Sequence, residues 1–317
     1  MKRILFLALL AGCPGTDTDT DVDTGADTDT SADTDTGADA DTDTDTDTDT
    51  DTDTDTDTDT SDIQTVTAVM GERCEPHDQI GEVRLSVQGN SVNVTATVRD
   101  SFPAIPATPT ASTDYCDYYT FDPSICGDCD GGEICMPDGQ CAVRPASLQT
   151  PTLAITVDGV TTELENTSGY IYGNSVAMAD DTLDVALRWP GYVVSVTDAY
   201  FPAAVTGLSA SASGGWDAPG TVTMTWDPSR GGGVVFTDIP MNHHIAVPAF
   251  TRCEASVSVG SMSATPAMID PLAQSTGLEF QGFQIEIPAA AQTDDGCIQF
   301  TLGMQEYTSV SYPNASF

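Results

Sequence analysis

Nine cysteines are the residues of this chain with the most chemistry to offer: Cys13, Cys74, Cys116, Cys126, Cys129, Cys135, Cys141, Cys253 and Cys297. A thiolate can attack an electrophile, ligate zinc or close a disulfide, and spacing and compartment decide among these. Five of the nine fall between Cys116 and Cys141, and Cys126-Gly127-Asp128-Cys129 has the form CxxC. A zinc ribbon wants a second pair spaced like the first, but five residues separate Cys135 from Cys141. A redox CxxC wants a βαβ setting, and the flanking sequence offers none. With Cys13 set aside for a role described below, an even number remains, which suits disulfides formed in an oxidising compartment. Connectivity is open at this level. The expected pairs are Cys126 with Cys135 and Cys129 with Cys141 inside the insert, Cys253 with Cys297, and Cys74 with Cys116 by elimination.

Other reactive side chains form no recognisable constellation. The histidines are His77, His243 and His244. Adjacent histidines on a strand point to opposite faces, so the pair 243–244 is read as exposed or turn residues without a metal. Asp180-Asp181 and Asp294-Asp295 sit among Gly, Ala and Thr and read as turns rather than a paired-carboxylate catalytic site. Gly231-Gly232-Gly233 reads as a turn rather than a phosphate cradle. The chain contains no Gly-x-Ser-x-Gly elbow, Walker loop, dinucleotide fingerprint or HExxH. No catalytic residue, no metal ligand and no cofactor is therefore assigned, and the chain is expected not to be an enzyme.

The N-terminus is more specific. Met1-Lys2-Arg3 is basic, and Ile4 to Leu10 is an apolar run. That run falls well short of the roughly 20 residues a spanning helix needs, and it fits the hydrophobic region of a signal peptide. Leu10-Ala11-Gly12-Cys13 follows at once and resembles the lipobox of bacterial lipoproteins. The resemblance implies removal of residues 1–12 and a diacylglyceryl thioether on Cys13. It implies a place in the cell envelope, held to the membrane through that lipid; the outer membrane or cell surface is the expected site, with the choice between inner and outer membrane left open by the sequence.

Residues 13–62 are expected to be a disordered acidic tether. Residues 16–62 carry 20 Asp and no basic residue, and Asp-Thr alternates without a break from Asp41 to Thr60. Neither alternating set is apolar, so no face can be buried to offset the entropy of ordering. Neighbouring aspartates lie roughly 7 Å apart in an extended chain, inside the screening length, and repel. Weak Ca²⁺ association follows from such charge, but the tract lacks the turn Gly and bidentate Glu of an EF-hand loop. The rest is acidic too: residues 63–317 hold 29 acidic residues against 7 Arg, a net −22. Binding to nucleic acid is excluded on that ground, since phosphate needs a basic footprint.

From Ile63 the texture becomes that of an all-β body. Short β-branched runs alternate with turn residues: Glu82 to Gln88 and Ser91 to Arg99 flank Gly89-Asn90, and Leu153 to Val157 and Val160 to Leu164 flank Asp158-Gly159. Leu183, Val185, Leu187 and Trp189 alternate along one strand face. Further strands are expected over 192–197, 221–226, 234–239, 254–259, 278–287 and 298–302, and no window of helical period stands out. The expected architecture is an antiparallel β-sandwich-like pair of domains, 63–204 and 205–317, with the disulfide-rich insert 116–141 in the first.

The order of these parts, together with Val143-Arg144-Pro145, Trp226-Asp227-Pro228, His243-His244 and Thr251-Arg252-Cys253-Glu254, resembles uncharacterised surface lipoproteins of myxobacteria and related deltaproteobacteria. The resemblance implies location and architecture and supplies no catalytic residue. The expected function is a non-catalytic, lipid-anchored envelope protein that displays a β-rich binding or adhesion body to an extracellular protein or glycan. A purely structural envelope component and a hydrolase of unrecognised type are the alternatives.

Overall fold

The organising element is one long sheet that serves two cores at once. In the computed structural model the described residues are 63–313, apart from 89–90, 149–151, 158, 165–170, 178–181, 242–248, 274–277, 279, 281 and 307–308. The signal segment, the lipobox residues Leu10, Ala11 and Gly12, Cys13, the tether, the His243-His244 pair, Asp180-Asp181 and the Gly89-Asn90 turn lie outside them. Strands are numbered in chain order. The long sheet runs β11 (Ile171–Ala177), β4 (Ser91–Val98), β3 (Gln79–Gln88), β20 (Gly296–Glu306), β19 (Phe283–Thr293), β16 (Val234–Pro240), β17 (Phe250–Ser256), β6 (Cys116–Tyr119) and β5 (Ala111–Ser112). The short β2 (Val69–Met70) also pairs with β19.

Two smaller sheets pack on it. One runs β1 (Gln64–Thr67), β13 (Tyr192–Tyr200), β12 (Thr182–Trp189), β9 (Thr152–Val157) and β10 (Val160–Leu164). The other runs β18 (Ser261–Ala264), β15 (Val222–Thr225), β14 (Ser209–Ala212) and β21 (Val310–Ser311). The first core joins Leu153, Ile155, Leu187 and Val194 to Val83, Leu85, Phe300 and Leu302. The second joins Val222, Met224 and Met262 to Val235, Ile239, Phe283 and Ile285. Phe283 and Ile285 of β19 belong to the second core, Ala289 and Ala291 of the same strand to the first. The β19–β20 register is unbroken between them. Odd-numbered positions of one strand share a face, so both small layers lie on the same side of the long sheet.

The protein is all-β, as its alternation predicts, with one short exception. Helix α1 (Pro266–Ala273) buries Met268, Ile269 and Leu272 in the second core. Pro266 opens it, where a missing N–H costs nothing. The Thr251 hydroxyl donates to the Met268 carbonyl at 2.9 Å and ties α1 to β17. Among the described residues no helix is long and apolar enough to cross a membrane.

Three expectations need correcting. The division at 204/205 is not a break in the sheet: β3 pairs with β20 across it, and Thr58–Phe317 forms one compact unit. A run of small residues there reads as a linker in sequence, yet it leads into β14. Pairing is also not uniformly antiparallel, because β1 with β13, β3 with β20, and β14 with β21 are parallel. Each joins segments far apart in the chain, where no hairpin turn dictates direction.

The third correction concerns the disulfides. Cys126–Cys135 and Cys129–Cys141 form as expected. The long-range bridges are Cys74–Cys297 and Cys116–Cys253, not Cys74–Cys116 and Cys253–Cys297. Cys116 and Cys253 are direct register partners on β6 and β17. Cys297 lies on β20, three strands from β17 in the sheet order, roughly 14 Å away at about 4.8 Å per strand. That is beyond the reach of a disulfide.

Gly303 shows how tightly the sheet is built. It faces Glu286 in the β19–β20 register. A Cβ at Gly303 would lie 2.5 Å from the Ile285 carbonyl oxygen and 2.8 Å from the Glu286 Cβ. Gly303→Ala is expected to destabilise the protein by about 1–3 kcal/mol through overpacking, read as a lower urea midpoint with an unchanged m-value.

Candidate functional site

The face of the long sheet opposite the two cores carries the polar half of the alternation. On β3 these residues are Glu82 and Arg84, on β19 Gln284 and Glu286, on β16 Phe236 and Asp238, and on β17 Phe250, Arg252 and Glu254. Across them runs a ladder of arginines and rings. The Arg73 guanidinium stands over the Phe236 ring at 4.2 Å, and Arg252 lies 5.3 Å from Phe236 and 5.7 Å from Phe250. Phe250 in turn stacks on Tyr119 of β6 at 5.0 Å. Such contacts keep a guanidinium flat on an apolar surface while its edge stays free for anions.

The carboxylates are matched to this ladder. Arg252 donates through Nε and Nη2 to the two oxygens of Asp238, at 2.9 and 2.8 Å. Arg84 donates to Glu82 through Nη2 at 2.8 Å. Arg73 bridges Glu254 and Glu286. Glu286 is fully buried. Burial pushes its carboxyl pKa up from the ordinary glutamate value, with Arg73 pulling the other way. Burial alone would lower the pKa of Arg252, but Asp238 outweighs it and the guanidinium is held more firmly charged than usual. Burial, with Asp117 next in weight, pushes the Tyr119 hydroxyl up to about 12.

The disulfide-rich insert covers one end of this face. A 3₁₀ turn (Pro123–Cys126) is capped by the Asp122 side chain, which accepts from the Ser124 N–H. The hairpin β7 (Glu133–Cys135) and β8 (Cys141–Val143) follows. The insert buries little apolar surface of its own, so its two bridges hold its shape. Between insert and sheet lies a cleft of about 1200 Å³. Its walls bring together Arg84, Arg99, Arg144 and Arg252 against two carboxylates, Glu133 and Asp238. Four of the body's seven arginines thus gather at one place on an acidic protein. Ile105, Phe121, Ile134 and Met241 add apolar surface to the same walls.

These guanidinium groups keep unused donors. Arg252 Nη1 is buried and has no hydrogen-bond partner among the described residues. Arg99 and Arg144 are exposed, and no ion pair engages their side chains among the described residues. The two carboxylates are already committed, Asp238 to Arg252 and Glu133 to the Asp130 N–H at 3.1 Å.

The residues singled out from sequence are placed as follows. The sulfurs of Cys126, Cys129 and Cys141 lie within 4.8 Å of one another. Each is oxidised in a disulfide, which removes the thiolate that zinc or a redox CxxC requires. Cys129 and Cys135 line the cleft. His77 precedes β3, beside Asp78, Phe102 and Pro137, and its buried Nδ1 has no partner. Asp294 and Asp295 form the turn between β19 and β20. Gly231-Gly232-Gly233 is a bend leading into β16. The arginine cluster was not visible in sequence, because Arg84, Arg99, Arg144 and Arg252 come from four separate segments. The one available sign was the polar alternation on β3, β19 and β17.

No protein-family model matches the chain, and no curated protein sequence matches it. Among solved structures, the FN1–FN3 domains of chicken CNTN1 align over 68% of this chain and 78% of that one, at 8% identity and a TM-score of 0.16. A superposition that loose carries no argument about fold or function.

Proposed function

We infer that the chain is a non-catalytic, lipid-anchored surface protein of a bacterial envelope, whose β body holds an extracellular ligand in the cleft beneath its disulfide-rich insert. The observation that carries the binding half is the gathering of Arg84, Arg99, Arg144 and Arg252 on a body of net acidic charge. Guanidinium forks with unused donors hold a ligand by charge-assisted hydrogen bonds. Carboxylates already engaged by Arg252 and by a backbone N–H favour holding over proton transfer. The lipid half is supported by Leu10-Ala11-Gly12-Cys13 and the acidic tract behind it. Two acyl chains anchor firmly where one is marginal.

Each half has its own test. Metabolic labelling with a palmitate analogue is expected to mark the wild-type protein and not Cys13→Ala, whose precursor accumulates uncleaved. A labelled, processed Cys13→Ala protein would end the anchoring reading. For the body, glycan and envelope-protein arrays probed with residues 62–317 are expected to yield a partner that Arg144→Glu loses. Partners retained in full by Arg144→Glu would move the binding surface elsewhere.

A further inference from the structure

The cleft says something about the chemistry of its occupant. We propose that it takes a carboxylate-bearing oligosaccharide, a run of uronate-type sugars lying between the sheet and the insert; this rests on the binding reading above. The first support is charge. Among the described residues Arg99 and Arg144 are exposed and unpaired, and Arg252 presents a buried Nη1 with no acceptor. An acceptor from a ligand would satisfy that group, and planar guanidinium groups match carboxylates in bidentate geometry.

The second support is the apolar surface that shares the cleft with this charge. Ile105, Phe121, Ile134 and Met241 line the same cleft as the arginines. A pyranose ring offers C–H faces to such patches while its carboxylate reaches a guanidinium. At about 1200 Å³ the cleft also exceeds the roughly 300–1,000 Å³ typical of a small-molecule site. Several linked sugars fit that space better than one small anion.

The third support separates a sugar chain from an acidic peptide. A peptide gains most when it adds a strand to a free sheet edge. β3 is paired on both sides, with β4 and β20, and so is β17, with β16 and β6, while β16 is paired with β19 only over Val234–Phe236. The backbone donors and acceptors of β3 and β17 are spent within the sheet. Recognition there falls to side chains, and those side chains are forks and apolar patches.

The test uses the full-length chain purified in detergent and titrated calorimetrically with a galacturonate tetrasaccharide. Malto-tetraose serves as the neutral control, poly-glutamate as the acidic peptide and inorganic phosphate as the free anion. The galacturonate is expected to bind, to weaken as salt rises from 20 to 300 mM, and to lose about tenfold in affinity in Arg99→Glu and again in Arg144→Glu. Arg230→Glu makes the same charge change at an exposed position outside the cleft and is expected to leave binding within twofold. Galacturonate binding that is absent, or that Arg144→Glu leaves intact, overturns the proposal. Poly-glutamate or phosphate binding more tightly than galacturonate, and lost in Arg144→Glu, overturns the sugar while keeping the cleft as a binding site. A cleft that takes none of the probes overturns the uronate proposal, and the array experiment with Arg144→Glu then decides the binding reading separately.

Discussion

Replacing Cys116 and Cys253 together by alanine is expected to lower the unfolding free energy by about 4–5 kcal/mol. The bridge spans 137 residues, and the entropy of leaving so long a loop open in the unfolded chain gives a figure of that size. The Cys74–Cys297 bridge encloses it, which shortens the effective loop and sets the lower end of the range. Both sulfurs are buried in the second core, so a small packing loss adds to the entropy. The two insert bridges behave differently. They span 9 and 12 residues, and opening either frees only the insert. Urea unfolding followed by tryptophan fluorescence is the measurement. A long-range mutant that unfolds at the wild-type midpoint would show that the bridge does not constrain the unfolded chain.

The second large effect is expected from Arg73→Ala. Arg73 is the partner of the fully buried Glu286. Removing one member of a buried pair leaves an uncompensated charge, at about 3–5 kcal/mol. The loss should depend on pH, and its sign follows from the native carboxyl. Burial already raises the Glu286 pKa, and Arg73 is the chief opposing influence, so the mutation raises it further. With the native pKa above the unfolded one, the folded state holds more protons. Stability then falls as pH rises from the ordinary glutamate range of about 4.3 through the native pKa. The mutant's deficit relative to wild type should therefore be smaller at pH 5 than at pH 8. Equal deficits at both would mean that Glu286 stays charged without Arg73. The double variant Arg73→Met with Glu286→Met should recover most of the loss, since an apolar contact replaces both charges.

The sequence disclosed the strands because their chemistry is local. The alternation of Leu183, Val185, Leu187 and Trp189 marks a half-buried strand on its own evidence, and it spans Thr182–Trp189 as read. The insert pairs were legible for the same reason, being close along the chain. Helix α1 escaped because it has eight residues with Pro271 among them, too few turns for a periodic stripe. The long-range disulfides escaped because elimination among cysteines knows nothing of strand order. Whether Cys253 meets Cys116 or Cys297 is decided by which strand lies beside β17, and that depends on the assembled sheet. The cleft is the extreme case. Arg84, Arg99, Arg144 and Arg252 look like scattered surface charges in a list of residues, and they converge only because the insert folds back over strands from both ends of the chain.

The attachment of β1 and β2 has a mechanical meaning. A pull on the chain ahead of Gln64 first loads β1, which lies parallel to β13 at the rim of its sheet, and then the two-residue β2. Peeling can proceed no further than Arg73, because the next residue is bonded through sulfur to Cys297 in the middle of the long sheet. Roughly 35 Å of chain, at about 3.5 Å per residue, is all that can be drawn out. Tension then passes covalently to β20, which β3 and β19 grip from both sides, so drag on the body is borne by its strongest layer rather than by its margin.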